Sequence, residues 1–530
     1  MDRITRRQFI KTGTALGIGM ELGTTLSAKE NIESRPNILW ICPDQQRWDT
    51  IRALGNKHIH TPNLDRLVGE GVSFDYAHVT AQLCTPSRSG FLTGMYPSSV
   101  KGCKNGASHW PEVAPLVPKL LKDEGYLCGL SGKLHLSTAM AHNPEKRPQD
   151  DGYSEFHYSH APHQGGDKND YLVWLWKQGY KYKDLRGLPG AEHARCHQTT
   201  WCSDRAIDFM KNNKGRPWLF SVNMFDPHGP FNPPADYVKR FDLNKLPGPL
   251  FRESDLTQQE MLKDVFFQSR PKKTSGNGGK LRQAKYWAQI ELIDENIGRM
   301  LKALEDTAQL DNTLIIFTSD HGDSCGDHGL NAKGCRFYEG LVRVPLIFWW
   351  PGKFKKGLRS KALVESTDIA PTLMELTGNS VPKYMQGKSL LPILTGKTDP
   401  HKHRKFVRCE FYDAAKPRSS NAKSTWGTML RTEDYKLCVY HGHEHGELYD
   451  MKNDPYEFTN LWDNPKYEET RLTLLKQSFE ETMKALENQM PILSDTPTGE
   501  DVPVDFKGLK KLFDDTVIAM DTGPKRIGRY

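Results

Sequence analysis

The sequence predicts an α/β fold: a large, mostly parallel central sheet flanked by helices, with a smaller C-terminal α+β subdomain that contains an antiparallel sheet. Two observations carry this expectation. Short apolar runs rich in β-branched residues alternate with helical patterns as far as residue 394, as a parallel sheet with crossover helices requires. From residue 395 strand-like runs follow one another directly and end in one amphipathic pattern. At 530 residues the chain can bury a sizeable core in more than one unit.

Residues 37–42, 126–131, 218–223, 313–319 and 346–350 read as strands, each a nearly continuous apolar run of the kind buried on both faces. Thr61-Pro62 supplies a cap and a first-turn proline for a helix that Gly71 ends. Thr85 and Pro86 read the same way for a helix that Gly94 terminates. Across 283–305, Ile290, Ile293, Ile297, Met300 and Leu301 form a helical stripe, and 368–376 reads as a short helix. Residues 406–412, 426–431 and 435–440 read as successive strands and 468–488 as an amphipathic helix. The stretch 146–197, rich in Gly, His, Asp and Lys with little periodicity, reads as a long functional insertion. The polar segment 494–505 reads as irregular.

Composition removes some classes of function. No long apolar run is present, so membrane insertion is not expected. The net charge of +7 is modest and the basic residues are scattered, so a general nucleic-acid surface is not expected either. Thr5-Arg6-Arg7-Gln8-Phe9-Ile10-Lys11, a weakly apolar stretch and Leu26-Ser27-Ala28 look like a twin-arginine export signal, which implies a periplasmic or secreted protein. The expected organisation is a signal peptide (1–28), a catalytic domain (35–394), an α+β subdomain (395–490) and a C-terminal extension (491–530). The ten cysteines show no zinc spacing. Cys42, Cys128 and Cys438 read as small buried hydrophobes, and Cys196 with Cys202 is the closest pair.

Polar clusters follow four of the strand candidates. Asp44-Gln45 follows the first, Lys133-Leu134-His135 the second, Asp226-Pro227-His228 the third and Asp320-His321 the fourth. Open parallel sheets place ligands beyond the carboxyl ends of their strands, so the four clusters predict one composite site. Asp44, Gln45, Asp320 and His321 offer two carboxylates, an amide oxygen and an imidazole. That set suits a hard divalent cation, Ca²⁺ first, with Mn²⁺ also open. Cys84 and Arg88 would lie near a helix N-terminus, where an anion is favoured.

Cys84-Thr85-Pro86-Ser87-Arg88-Ser89-Gly90-Phe91-Leu92-Thr93-Gly94 resembles the signature of type I sulfatases, formylglycine-dependent enzymes with an alkaline phosphatase-like fold. Gly132-Lys133-Leu134-His135-Leu136, Thr318-Ser319-Asp320-His321-Gly322, Gly326-Asp327-His328-Gly329 with Lys333, and Glu447-Leu448-Tyr449-Asp450 resemble that family too, and the matches run in its order from about residue 35 to 463. The resemblance implies that a maturation enzyme oxidises Cys84 to formylglycine, whose hydrate attacks sulfur beside the metal. It assigns Arg88 and Lys133 to stabilising that diol, His228 and Lys333 to binding sulfate and protonating the leaving oxygen, and His135 to releasing sulfate. It implies a sulfated carbohydrate substrate. One departure stands out: Gln45 occupies a position where many sulfatases carry a second Asp. Asp-Gln also occurs in relatives that resemble phosphonate monoester hydrolases and choline sulfatases, so a phosphonate or phosphate ester hydrolase is the alternative expectation. A non-catalytic glycan-binding descendant is a third.

Overall fold

Strand β1 (Asn37–Ile41) shows why continuous apolar runs mark the centre of this protein. Ile38 and Trp40 enter the core on one face of the sheet while Leu39 and Ile41 enter the core on the other, so these four side chains must be apolar. Each such fully buried aliphatic side chain contributes about 1.5–3 kcal/mol. The structure is a computed structural model that describes residues 35–139, 145–415 and 424–487. The expected signal peptide, the C-terminal extension and the segment 494–505 lie outside the described residues.

The main sheet adds β2 (Val72–His78), β3 (Leu127–Gly132), β4 (Glu155–Tyr158), β5 (Trp218–Asn223), β6 (Thr313–Thr318), β7 (Leu346–Trp349) and β8 (Leu358–Glu365). Their order is β4-β3-β5-β1-β6-β7-β2-β8. Every neighbouring pair is parallel except those made by β7, which runs against both β6 and β2. Helices α1 (Pro62–Glu70), α2 (Cys84–Thr93) and α3 (Asn277–Asp306) flank it. Phe91 and Leu92 of α2 join the Trp40 core, and Ile293, Ile297, Met300 and Leu301 of α3 join the opposite one. A second, antiparallel sheet of β9 (Phe406–Tyr412), β10 (Trp426–Thr432), β11 (Tyr435–Tyr440) and β12 (Glu447–Asp450) packs with α4 (Glu468–Glu487) through Leu430, Leu437, Leu448 and Leu474. No helix among the described residues is long and apolar enough to cross a membrane.

Several details differ from the sequence reading. The insertion 146–197 holds β4 and the helices Asp170–Lys177 and Gly190–Cys196, too short for a period to show. Asn169 caps the first of these by accepting from the Tyr171 and Leu172 amides. Thr61 precedes α1 without capping it: its hydroxyl accepts from the Arg52 N–H at 3.0 Å and donates to Asp65 at 3.1 Å. All ten cysteines, Cys196 and Cys202 included, are unpaired thiols.

Candidate active site

Strands β3, β5, β1 and β6 are consecutive in the sheet and parallel, so their carboxyl ends open on one rim. These four ends carry Lys133, His228, Asp44-Gln45 and Asp320-His321. The backbone stitches the rim together. The Asp44 N–H donates to the Met224 and Asp226 carbonyls at 3.0 and 3.1 Å, and the Gln45 N–H donates to Asp320 Oδ1 at 2.9 Å. Gln45 sits at φ 76°, a conformation that costs a non-glycine residue about 1 kcal/mol or more. The bond to Asp320 and the Tyr286 hydroxyl, which donates to the Gln45 carbonyl at 2.6 Å, hold it there.

Cys84 is the first residue of α2, whose cap position is Leu83, two positions before the Thr85 cap expected from sequence. Thr85 does not cap because its hydroxyl accepts from the Gly106 N–H at 3.0 Å, while its own N–H donates to Asn105 at 3.1 Å. Gly94 ends the helix in the left-handed conformation, as expected. The Cys84 Sγ lies 3.0 Å from Lys333 Nζ, 3.3 Å from His321 Nε2 and 3.7 Å from Asp44 Oδ1. Burial and Asp44 oppose ionisation of this thiol, yet Lys133, Lys333 and His321 together hold it well below the ordinary thiol range. One turn along α2, Arg88 donates from Nε to Asp320 at 2.9 Å and from Nη1 to the Lys133 carbonyl at 2.8 Å. Lys133 in turn reaches Asp44 Oδ2. Burial opposes the charge on the Asp44 carboxylate, but Lys133, His228, Lys333 and His321 keep it well below the usual carboxylate range.

The donor set fits a divalent cation. Ligand atoms of Asp44, Cys84, Asp320 and His321 all lie within 4.8 Å of one another, and all four residues are buried. The His321 Nδ1 lies 2.9 Å from the Gly322 carbonyl, which fixes the proton there and leaves the Nε2 lone pair facing the cluster. Asp323, which the sequence reading missed, orients the last ligand. It accepts from Gln45 Nε2, so the Gln45 Oε1 points inward, where Lys333 Nζ reaches it at 2.8 Å. Lys333 is also 3.0 Å from His321 Nε2.

His135 and His228 flank this cluster without a hydrogen bond to Cys84. Burial and then Lys133 hold the His135 imidazole well below its ordinary range, and burial and then Lys333 bring His228 down to about 4, so both are neutral bases. Two residues stand behind His135: Glu145, which no sequence motif marks, and His160, which reads from sequence as a sugar-binding or merely solvated loop histidine. Glu145 accepts the backbone N–H groups of His135, Leu136 and Ser137. His160, from the insertion, packs edge-on to His135 with ring centroids 4.3 Å apart. The Asp226 carboxylate faces away, toward Thr199 and Gln289. The ten expected site residues are thus one buried group of eight in mutual contact, with two histidines beside it.

A family profile described as Sulfatase matches residues 36–379, and a profile described as N-sulphoglucosamine sulphohydrolase, C-terminal, matches 326–485. The chain is 30% identical to an N-acetylglucosamine-6-O-sulfatase of Bacteroides thetaiotaomicron, covering 93% of each chain. Among solved structures it resembles a phosphonate monoester hydrolase from Silicibacter pomeroyi, with a TM-score of 0.74, 24% identity and coverage of 85% of this chain and 96% of that one. It also resembles a protein solved in complex with its substrate D-glucosamine-2-N,6-O-disulfate, with a TM-score of 0.67, 26% identity and coverage of 87% and 99%. With these matches spanning the rim and its cluster, the chain belongs to the sulfatase family and is a sulfuric ester hydrolase.

Proposed function

We propose that the chain removes sulfate from sulfated oligosaccharides or polysaccharides, glycosaminoglycan or algal in type, in the periplasm or outside the cell. Residue 84 acts as formylglycine and Ca²⁺ is the resident metal. The observation that carries this reading is the placement of the Cys84 Sγ inside the same buried group as Asp44, Asp320 and His321. The sugar substrate is inferred from a relative named N-acetylglucosamine-6-O-sulfatase and a structural neighbour solved with D-glucosamine-2-N,6-O-disulfate. Cys84 is only 2% exposed, so a maturation enzyme would have to oxidise it before the chain folds. Export through a twin-arginine signal belongs to the same proposal.

A divalent cation held by Asp44, Gln45, Asp320 and His321 would supply Lewis acidity to the attacking hydroxyl and the sulfuryl oxygens. The hydrated aldehyde at residue 84 has two hydroxyls on one carbon. One attacks sulfur, and the other later surrenders its proton so that sulfate can leave; a plain thiol has no second group for that step. Arg88 and Lys133 hold positive charge against residue 84 and its neighbours. Lys333 and His228 bind the sulfuryl oxygens, Lys333 supplying the positive charge, and one of them protonates the departing alcohol. His135, kept neutral, takes the second hydroxyl's proton.

Gln45 among the ligands favours one second reading, a phosphonate or phosphate ester hydrolase on the same scaffold. Defined sulfated oligosaccharides assayed for released sulfate, beside an aryl phosphonate, separate the two. Release from at least one sulfated sugar is expected. Turnover of the phosphonate with every sulfated sugar left intact would overturn the proposal.

A further inference from the structure

Away from the strand ends, a cavity of about 1320 Å³ opens at the seam between the two sheets. Lys361 of the edge strand β8, Lys388, Arg404 and Lys405 before β9, Arg408 on β9 and Arg431 on β10 contribute to its wall. No residue of the catalytic cluster is among its described lining. Strand β8 lies three positions from β6 in the sheet, about 14 Å at ordinary strand spacing.

Basic residues outnumber acidic ones in the lining of this cavity, although buried carboxylates compensate its arginines: Arg404 pairs with Glu365 and Asp368, Arg408 with Glu410 and Arg431 with Glu339. Its acidic lining residues are Glu433, Asp434 and Glu481, and Glu481 is paired with Lys484 at 2.8 Å. Lys361, Lys388 and Lys405 are exposed and have no ion pair among the described residues. The arginines are fixed in place. Arg404 bonds Glu365 at 2.7 Å, Arg408 stacks over Tyr96 at 4.8 Å and Arg431 over Tyr76 at 4.8 Å. Arg404 Nε and Arg408 Nε and Nη1 have no hydrogen-bond acceptor among the described residues, and Arg431 Nε lies 3.7 Å from Glu339. A planar guanidinium held in place at the wall matches the oxygens of sulfate and carboxylate.

Building on the substrate class proposed above, we infer that this cavity is a second, non-catalytic binding site for the sulfate or carboxylate groups of a sulfated glycan. It holds the polymer at a point remote from the ester being cleaved, and simultaneous engagement of both sites raises the effective concentration of ester at the rim. Its cations come from four separate segments around a wide opening, which suits a multiply charged sugar chain. A rival occupant exists within the chain itself. Residues 488–505 carry Asp495, Glu500, Asp501 and Asp505 with no Lys or Arg, and begin three positions after Ala485 of the lining.

The test uses the full-length protein with Lys361→Glu, Lys388→Glu and Lys405→Glu combined, all exposed and outside the catalytic machinery. Dextran sulfate is the binding probe, titrated at several salt concentrations, and p-nitrophenyl sulfate is the small substrate. The triple variant should bind dextran sulfate roughly tenfold more weakly, with a salt dependence shallower by roughly three counterions. Its p-nitrophenyl sulfate kcat/KM should be unchanged, which also verifies folding. Unchanged dextran sulfate affinity and salt dependence would overturn the inference. A second variant, Asp495→Asn with Glu500→Gln, Asp501→Asn and Asp505→Asn, addresses the rival. Tighter binding in that variant, abolished by adding the three lysine changes, would show the cavity to be filled by the chain's own segment and would also overturn the inference. The binding readout does not need turnover of any sugar, so failure of the proposed substrate class remains distinguishable.

Discussion

Arg88 Nε donates to Asp320 Oδ2 at 2.9 Å with both side chains fully buried, which fastens the helix that begins at residue 84 to the end of strand β6. Removing one member of such a pair strands a buried charge. Arg88→Ala should therefore lower stability by about 3–5 kcal/mol in denaturant unfolding and abolish turnover. Arg88→Lys keeps the charge but loses the fork that also reaches the Lys133 carbonyl, and should fall between the two.

On the proposed metal site, Asp323 would act through Gln45. Without the acceptor for its Nε2, the Gln45 amide is free to turn its oxygen out of the cluster. Asp323→Ala should weaken Ca²⁺ binding by about 10–100-fold, read as the Ca²⁺ concentration that raises the melting temperature. An unchanged Ca²⁺ dependence would show that Gln45 holds its orientation unaided.

Glu145 gives a pH signature. Burial lifts its carboxyl from an ordinary 4.5 to about 7, although three backbone N–H groups pull the other way. Between those values the folded chain keeps a proton that the unfolded chain has released. The penalty is therefore absent below about pH 4.5, grows as pH rises and is complete above about 7. Glu145→Gln keeps an acceptor for the amides and removes the titration. The stability difference, wild type minus variant, should fall as pH rises through that window, and a flat difference would contradict the assignment.

His135 separates the two halves of the reaction. In His135→Ala, alcohol should be released once per enzyme molecule while sulfate stays on the protein, as seen by rapid quench. Equal steady release of both products would remove His135 from the sulfate-releasing step.

The rim was readable in the sequence because the four strands that carry it, β1, β3, β5 and β6, are buried on both faces and must be written as apolar runs. The polar residues that follow each run then stand out. Strands β2, β4 and β8 were not readable for the opposite reason. The edge strand β8 keeps Arg359 and Lys361 exposed, the other edge strand β4 is half-buried throughout, and β2 carries Asp75 and His78. Charged edges protect a sheet from further pairing and erase the alternation that marks a strand. Asp323 and Glu145 were missed because their roles are relational. Asp323 meets Gln45 across 278 positions, and Glu145 serves three amides rather than any motif. Thr85 shows the limit of local chemistry: it has the composition of a cap, but Gly106 takes its hydroxyl.

The proposed chemistry depends on what residue 84 becomes. Mass spectrometry of the peptide spanning Cys84, taken from fully active protein, measures this directly. An aldehyde in place of the thiol is the predicted result, with Cys84→Ala folding normally and turning nothing over. An intact cysteine in protein of full specific activity would contradict it.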